Sequence, residues 1–195
     1  RPGIRRLTWI YGLTVLAFSA MEATYALLVS KRYGFDPEHT NYLFAYIGVL
    51  VVVVQGGLIG RLTRRFGEKK LLVAGLLLQA CGLATLPFVS AQGGVLLATA
   101  PLAIGSGLSQ PSLSSLLSRL AHADDQGGTL GIGESASALG RVVGPVSGTW
   151  TFANVSVAFP YVAGASLMAV SALLAAAVRP AAGGTDKELA DAGAA

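Results

Sequence analysis

The sequence predicts an all-α fold: a polytopic membrane bundle of six transmembrane helices. Three observations carry that prediction. The chain of 195 residues is 53% hydrophobic and only 12% charged, where a soluble domain carries about 25% charge. Apolar stretches recur six times, at residues 8–30, 42–60, 71–90, 94–118, 128–152 and 156–178, each near the ~20 residues a helix needs to cross a bilayer. The basic residues are distributed asymmetrically. Eleven of the 14 Lys and Arg fall on one side, Lys31 and Arg32 on the other, and Arg141 within a span.

The first stretch follows Arg1, Arg5 and Arg6 and carries Glu22. The second runs into Gly56-Gly57-Leu58-Ile59-Gly60, after which Arg61, Arg64, Arg65, Lys69 and Lys70 precede the third at Leu71. A short basic loop between apolar spans marks the cytoplasmic side, and it orients everything else. With an even number of spans, both termini are expected in the cytoplasm, and the bundle in a cell membrane (plasma or inner). Ala91-Gln92-Gly93 separates the third and fourth spans, and the tight turn Ala153-Asn154-Val155 the last two. His39 and His122 fall in predicted loops. From Pro180 the chain is Ala, Gly and charge, too little apolar surface to order a segment. The expected organisation is therefore a six-helix domain over residues 1–179 and a disordered cytoplasmic tail over 180–195. The chain begins at Arg1, and no short apolar stretch with a cleavage site precedes the first span. It is expected to be a fragment, or the second half of a longer chain.

Polarity differs among the spans. The third and sixth carry no charge and are expected to face lipid, whereas the first, fourth and fifth carry the polar residues and are expected to line a cavity. A 3+3 inverted repeat fits this order, the first span matching the fourth, the second the fifth and the third the sixth.

Glu22 is the most informative single residue. It lies about 14 residues, hence ~21 Å, above the cytoplasmic start of its span. A carboxylate at mid-bilayer costs roughly 2.5–3.5 kcal/mol on insertion scales. Two roles justify that cost. A carboxyl withdrawn from water takes a proton more readily, which suits a group that loads and releases protons. Alternatively, Glu22 is a permanent ion balancing Arg141, 13 residues into the fifth span and so at nearly the same depth. Phe18, Ser19 and Tyr25 share the helical face of Glu22, and an acid among aromatics suits a cationic or amphipathic molecule. Ser106 and Gln110 of the fourth span are candidates for the same cavity. Serines within helices often bond their own carbonyls, so Gln110 is the preferred of the two.

Gly140, Gly144 and Gly148 repeat every four residues on one face of the fifth span, and Gly56 and Gly60 repeat the spacing in the second. Small residues so spaced let helix backbones approach closely in a bilayer. Pro145 cannot donate to the carbonyl of Arg141, so a bend is expected there. The stripe is either a static packing surface or one that slides.

Gly60-x-x-x-Arg64-Arg65-Phe66-Gly67-Glu68-Lys69 resembles the loop signature of the major facilitator superfamily, Gly-x-x-x-Asp-Arg-x-Gly-Arg-Arg or Lys. Gly60, Arg65, Gly67 and Lys69 match; Arg64 stands in place of Asp and Glu68 in place of Arg. The segments Gly105-Ser106-Gly107-Leu108-Ser109-Gln110-Pro111 and Leu139-Gly140-Arg141-Val142-Val143-Gly144-Pro145-Val146-Ser147-Gly148 look like the drug:proton antiporter (tetracycline-resistance-like) branch. The resemblance implies the C-terminal half of such a transporter, helices seven to twelve. It implies proton-coupled export of a small amphipathic molecule, with a lipid bilayer around it and an N-terminal half or a second copy as partner. The alternative is a non-transporting membrane module that scaffolds or binds a partner half.

Other classes find little support. Cys81 is the single cysteine, so no disulfide forms within the chain and no metal spacing arises. The net charge of +4 resides in loops between apolar spans, which is not a nucleic-acid footprint. No His-Glu-x-x-His, nucleophile elbow or phosphate loop is present. Neither an enzyme nor a cofactor is expected.

Overall fold

The computed structural model describes residues 2–121 and 126–178. His122, Arg179, Lys187 and the expected tail lie outside the described residues. The helices are α1 (Pro2–Tyr33), α2 (Pro37–Val53), α3 (Ile59–Phe66), α4 (Glu68–Thr85), α5 (Gln92–Leu120), α6 (Gln126–Asn154) and α7 (Phe159–Ala176). A π-turn, Val54–Leu58, joins α2 to α3, and a 3₁₀ turn, Leu86–Phe88, extends α4. The result is six helical rods, the second being α2, the π-turn and α3 end to end. By length and apolarity, Gly3–Tyr33, Pro37–Phe66, Glu68–Phe88 and Phe159–Ala176 each suffice to cross a membrane. α5 and α6 are 29 residues each but interrupted by Ser, Gly and, in α6, Glu134 and Arg141.

Local chemistry sets the joints. Gly34, at φ +68°, ends α1 by donating to Ser30 O, and Phe35 then donates to Val29 O. This is a left-handed helix stop that satisfies free carbonyls. Lys31 and Arg32 occupy the last turn, where the helix dipole favours cations. Asp36 then caps α2, its carboxylate accepting from the His39 amide at 2.8 Å, with Pro37 opening the helix. That backbone bond, seconded by the His39 ring, holds the Asp36 carboxyl below the usual carboxylate range.

Four joints differ from expectation. The basic loop is almost wholly helical: Arg61, Arg64 and Arg65 lie in α3, Lys69 and Lys70 in α4, and Gly67 alone turns the chain. Gly67 sits at φ +79°, ψ 154°, a backbone conformation open to glycine and costly for others. His39 lies in the first turn of α2, not in a loop. The last turn comes later than expected, between Asn154 and Phe159, and α5 already begins at Gln92.

The rods pack as a closed set. α1 lies along α6, α4 along α5, and α7 covers both α4 and α1; α2 rests on α5. Exchanging the first rod with the fourth, the second with the fifth and the third with the sixth maps these neighbours onto one another, the pattern of a 3+3 inverted repeat. The core between them holds Leu7, Ile10, Leu72, Leu76, Leu83, Leu102, Leu117 and Met168. Contrary to the reading from charge, the third rod is not simply lipid-facing. Half of its most apolar window is buried, against 11% for Pro37–Phe66. A chargeless rod can bury one face and leave the other, here Leu77 of α4 and Leu173 of α7, exposed.

Candidate functional site

Two glycine contacts shape the interior. On α6, a Cβ at Gly140 would lie 2.8 Å from Leu16 N, at Gly144 2.7 Å from Leu16 O, and at Gly148 2.8 Å from Ala20 O. The stripe is thus the seam on which α6 meets α1, backbone to backbone. Gly56 and Gly60 have nothing within 4 Å of such a Cβ, so the expected second packing stripe meets no part of this chain. A closer approach joins α4 to α5, where Gly75 and Gly105 face each other's carbonyls. α6 runs on as helix through Pro145.

Beside the α1–α6 seam opens a cleft of about 500 Å³, lined by Val15, Phe18, Ser19, Glu22, Ala23, Gln110, Arg141 and Pro145. α1 contributes its stripe from Val15 to Ala23, α5 contributes Gln110, and α6 contributes Arg141 with Pro145. Five of the predicted site residues, Glu22, Phe18, Ser19, Gln110 and Arg141, therefore converge. Glu22 and Arg141 present their side chains to the cleft rather than to the core.

Two predicted residues turn elsewhere. Tyr25 is fully buried, shares a hydrogen bond of 2.9 Å with Thr99 of α5, and packs edge-on against Phe44 of α2. Three residues on from Glu22, it rotates far enough around α1 to enter the core. Ser106 is buried and donates to Ala103 O at 2.9 Å, its own helix; Ser112 does the same to Leu108 O.

The pairing of Glu22 with Arg141 also changes. Contact numbers on α1 and α6 climb together, so the helices are parallel. The register sets Arg141 beside Leu16 and Glu22 just above Gly148. Six residues along the helix separate the two levels, roughly 9 Å at 1.5 Å per residue. Equal counts from two span starts had suggested equal depth, but α1 begins farther below the seam than that count assumed. Accordingly, the ion pairs within 4.0 Å among the described residues are His39–Asp36 and Arg119–Glu68, not Glu22–Arg141.

At one end of the bundle the signature residues form a separate group. Arg64 and Arg65 are exposed, and the Arg65 guanidinium stacks 5.4 Å from the Phe66 ring centroid. Glu68, the residue that departs from the family pattern, accepts from Arg119 of α5 at 2.6 Å and from Ser115 at 3.4 Å. It thereby ties the start of α4 to the end of α5.

Two polar contacts were missed from sequence. Gln79 of α4, 1% exposed, donates to Ser109 of α5 at 2.7 Å. Tyr11 of α1 donates to Glu134 of α6 at 2.7 Å. A glutamine in an otherwise apolar span was the available signal for the first. The second joins residues 123 apart in sequence, and nothing local marks it.

The sequence profile of the Major Facilitator Superfamily matches residues 7–194. Multidrug resistance protein 2 of Bacillus subtilis (strain 168) is 28% identical over 162 residues, covering 80% of this chain and 39% of that protein. Multidrug resistance protein 1 of the same organism is 26% identical over 149 residues, covering 76% and 38%. The class C tetracycline resistance protein of Escherichia coli is 27% identical over 157 residues, covering 74% and 39%. The crystal structure of the human organic anion transporter MFSD10 (TETRAN) superimposes with a TM-score of 0.82 over 88% of this chain and 40% of that one, at 22% identity. The chain spans about two fifths of the length of these relatives.

Proposed function

Because the chain belongs to the Major Facilitator Superfamily, an integral membrane transporter family, we propose that it is the C-terminal half of a proton-coupled exporter of small amphipathic molecules. All six rods then cross the bilayer, both termini lie in the cytoplasm, and a second six-helix half closes the cleft from the opposite side. The observation that carries this reading is the cleft itself. One acid, Glu22, stands in it with an aromatic ring, Phe18, an amide, Gln110, and a cation, Arg141. An ionised Glu22 attracts a cationic or amphipathic molecule against Phe18; a protonated Glu22 holds it more weakly, with the Phe18 and Gln110 contacts kept. Exchange of proton for substrate follows from competition of the two for one carboxylate. The lack of an ion pair between Glu22 and Arg141 supports the carrier role over that of a permanent structural ion, since a fixed pair would hold the carboxylate ionised.

The test uses proteoliposomes holding the chain with its complementing half. Glu22→Gln mimics the protonated state, so folding, substrate binding and gradient-independent exchange persist while export driven by a proton gradient fails. Native-rate proton-coupled export by Glu22→Gln refutes the assignment. A structural ion instead predicts loss of yield and thermal stability, restored by Arg141→Gln or Arg141→Met.

A further inference from the structure

A second groove, of about 260 Å³, opens on the side of the α1–α6 seam away from the Glu22 cleft. Trp9 in this groove and Glu22 in the cleft are 13 residues apart, so they point about 140° apart around α1 at 3.6 residues per turn. Leu139 and Arg141 diverge by about 160° around α6 in the same way. Glycine makes the floor: a Cβ at Gly140 would lie 2.9 Å from Gly12 O, so the helices meet there backbone to backbone. The walls are Trp9, Leu13 and Leu16 of α1 and Leu139 and Val143 of α6. Trp9, Leu139 and Val143 are exposed.

A cation stands at the foot of this groove. Arg5, Trp9, Gly12 and Leu16 follow at intervals of four, three and four residues, which is one stripe of a helix. Arg5 is exposed, whereas Arg6 is tied to Ala177 O beyond α7 at 3.2 Å. Glu134, the one acid of α6, accepts Tyr11 on the cleft side. Eleven residues separate Arg5 from Leu16, roughly 16 Å along the helix, about half of the ~30 Å hydrocarbon core. The stripe thus has the length and polarity of one leaflet. It sets a cation at headgroup level, a tryptophan at the interface where its ring is favoured, and apolar walls above.

Resting on the reading that both termini lie in the cytoplasm, we propose that this groove seats an acyl chain of an anionic phospholipid of the cytoplasmic leaflet, its phosphate against Arg5. The cytoplasmic leaflet is the anionic one, and one cation near its surface gives about a fivefold preference for such a lipid. The acyl chain lies along both helices and covers the apolar walls that flank the glycine floor.

The experiment reads the groove through its own tryptophan. Trp150→Phe leaves Trp9 as the one tryptophan of this chain, and the complementing half is made tryptophan-free. The pair is reconstituted in phosphatidylcholine vesicles containing phosphatidylglycerol or phosphatidylcholine brominated on its acyl chains, which quenches tryptophan on contact. Brominated phosphatidylglycerol is expected to quench Trp9 at about one fifth of the fraction that brominated phosphatidylcholine needs. Arg5→Gln is expected to abolish that preference and leave quenching by phosphatidylcholine unchanged. Val143→Phe, which fills the groove, is expected to lower quenching by both. Equal quenching by the two lipids, unmoved by Arg5→Gln, means annular lipid only and overturns the proposal. Quenching by neither means that the second half covers the groove, and overturns it too. If the tryptophan-free half does not assemble, thermal unfolding of the unmodified pair decides: phosphatidylglycerol must stabilise wild type more than Arg5→Gln, and an equal rise overturns the site. Labelling of Arg5→Cys by an impermeant reagent from outside intact cells refutes the orientation and the leaflet with it, whereas labelling from the cytoplasm without a lipid preference refutes only this site.

Discussion

Gly144→Ala adds one methyl group to the seam, and the structure fixes what that methyl meets. The new Cβ would lie 2.7 Å from Leu16 O, 2.9 Å from Ser19 Cβ and 3.0 Å from Ala20 N, where ordinary contact begins at 3.4 Å. α1 and α6 must therefore separate by about 0.7 Å at this point, and none of the three atoms is the far end of a flexible side chain. Overpacking of this kind costs about 1–3 kcal/mol, roughly a 5- to 150-fold change in the unfolding equilibrium. Alanine also favours helix over glycine by about 0.8–1.0 kcal/mol, which partly masks the cost. Gly48→Ala in α2 has nothing within 4 Å of its new Cβ and supplies the same helix gain without the clash. The difference between the two variants is then the clash alone. Thermal or denaturant unfolding of the purified protein in detergent measures it. Equal stability of Gly144→Ala and Gly48→Ala would refute the claim that the stripe is a rigid backbone contact. The larger Gly144→Leu is expected to insert yet lose assembly or transport.

Two further substitutions probe contacts away from the seam. Ser109→Ala leaves the buried Gln79 amide, whose Oε1 already lacks a partner, with only the long 3.5 Å contact of its Nε2 to Gly75 O, and is expected to cost about 1–3 kcal/mol; Gln79→Leu, which removes the polar group itself, is expected to cost less, and the reverse order in unfolding assays counts against this reading. Asp36 stabilises the start of α2 as a carboxylate with a lowered pKa, so its contribution is complete above the unfolded carboxylate range and is lost as pH falls through the folded value. The protection of the His39 amide against hydrogen exchange, taken relative to its intrinsic rate at each pH, should fall on acidification in the native protein and stay constant in Asp36→Asn.

Sequence alone determined the class, the number of rods and three of the cleft residues on α1. Those features depend on local composition and on periodicity along a single element. Glu22, Phe18 and Ser19 fall on one stripe of α1 whatever surrounds it, and Gly140, Gly144 and Gly148 form a contact face wherever α6 packs.

Tertiary structure decided which stripe meets which. Tyr25 lies three residues from Glu22, close enough to share a broad face, yet the packing of α5 and α2 against α1 draws it into the core with Thr99 and Phe44. The levels of Glu22 and Arg141 depend on the sliding register of two helices, which residue counts from separate span starts do not contain. The same register brings Tyr11 to Glu134 across 123 residues of sequence. In a bilayer, where apolar faces are equally at home against lipid or protein, small residues and polar contacts select the partner face. Hydropathy therefore predicts the rods, and only their packing assigns each polar residue its neighbour.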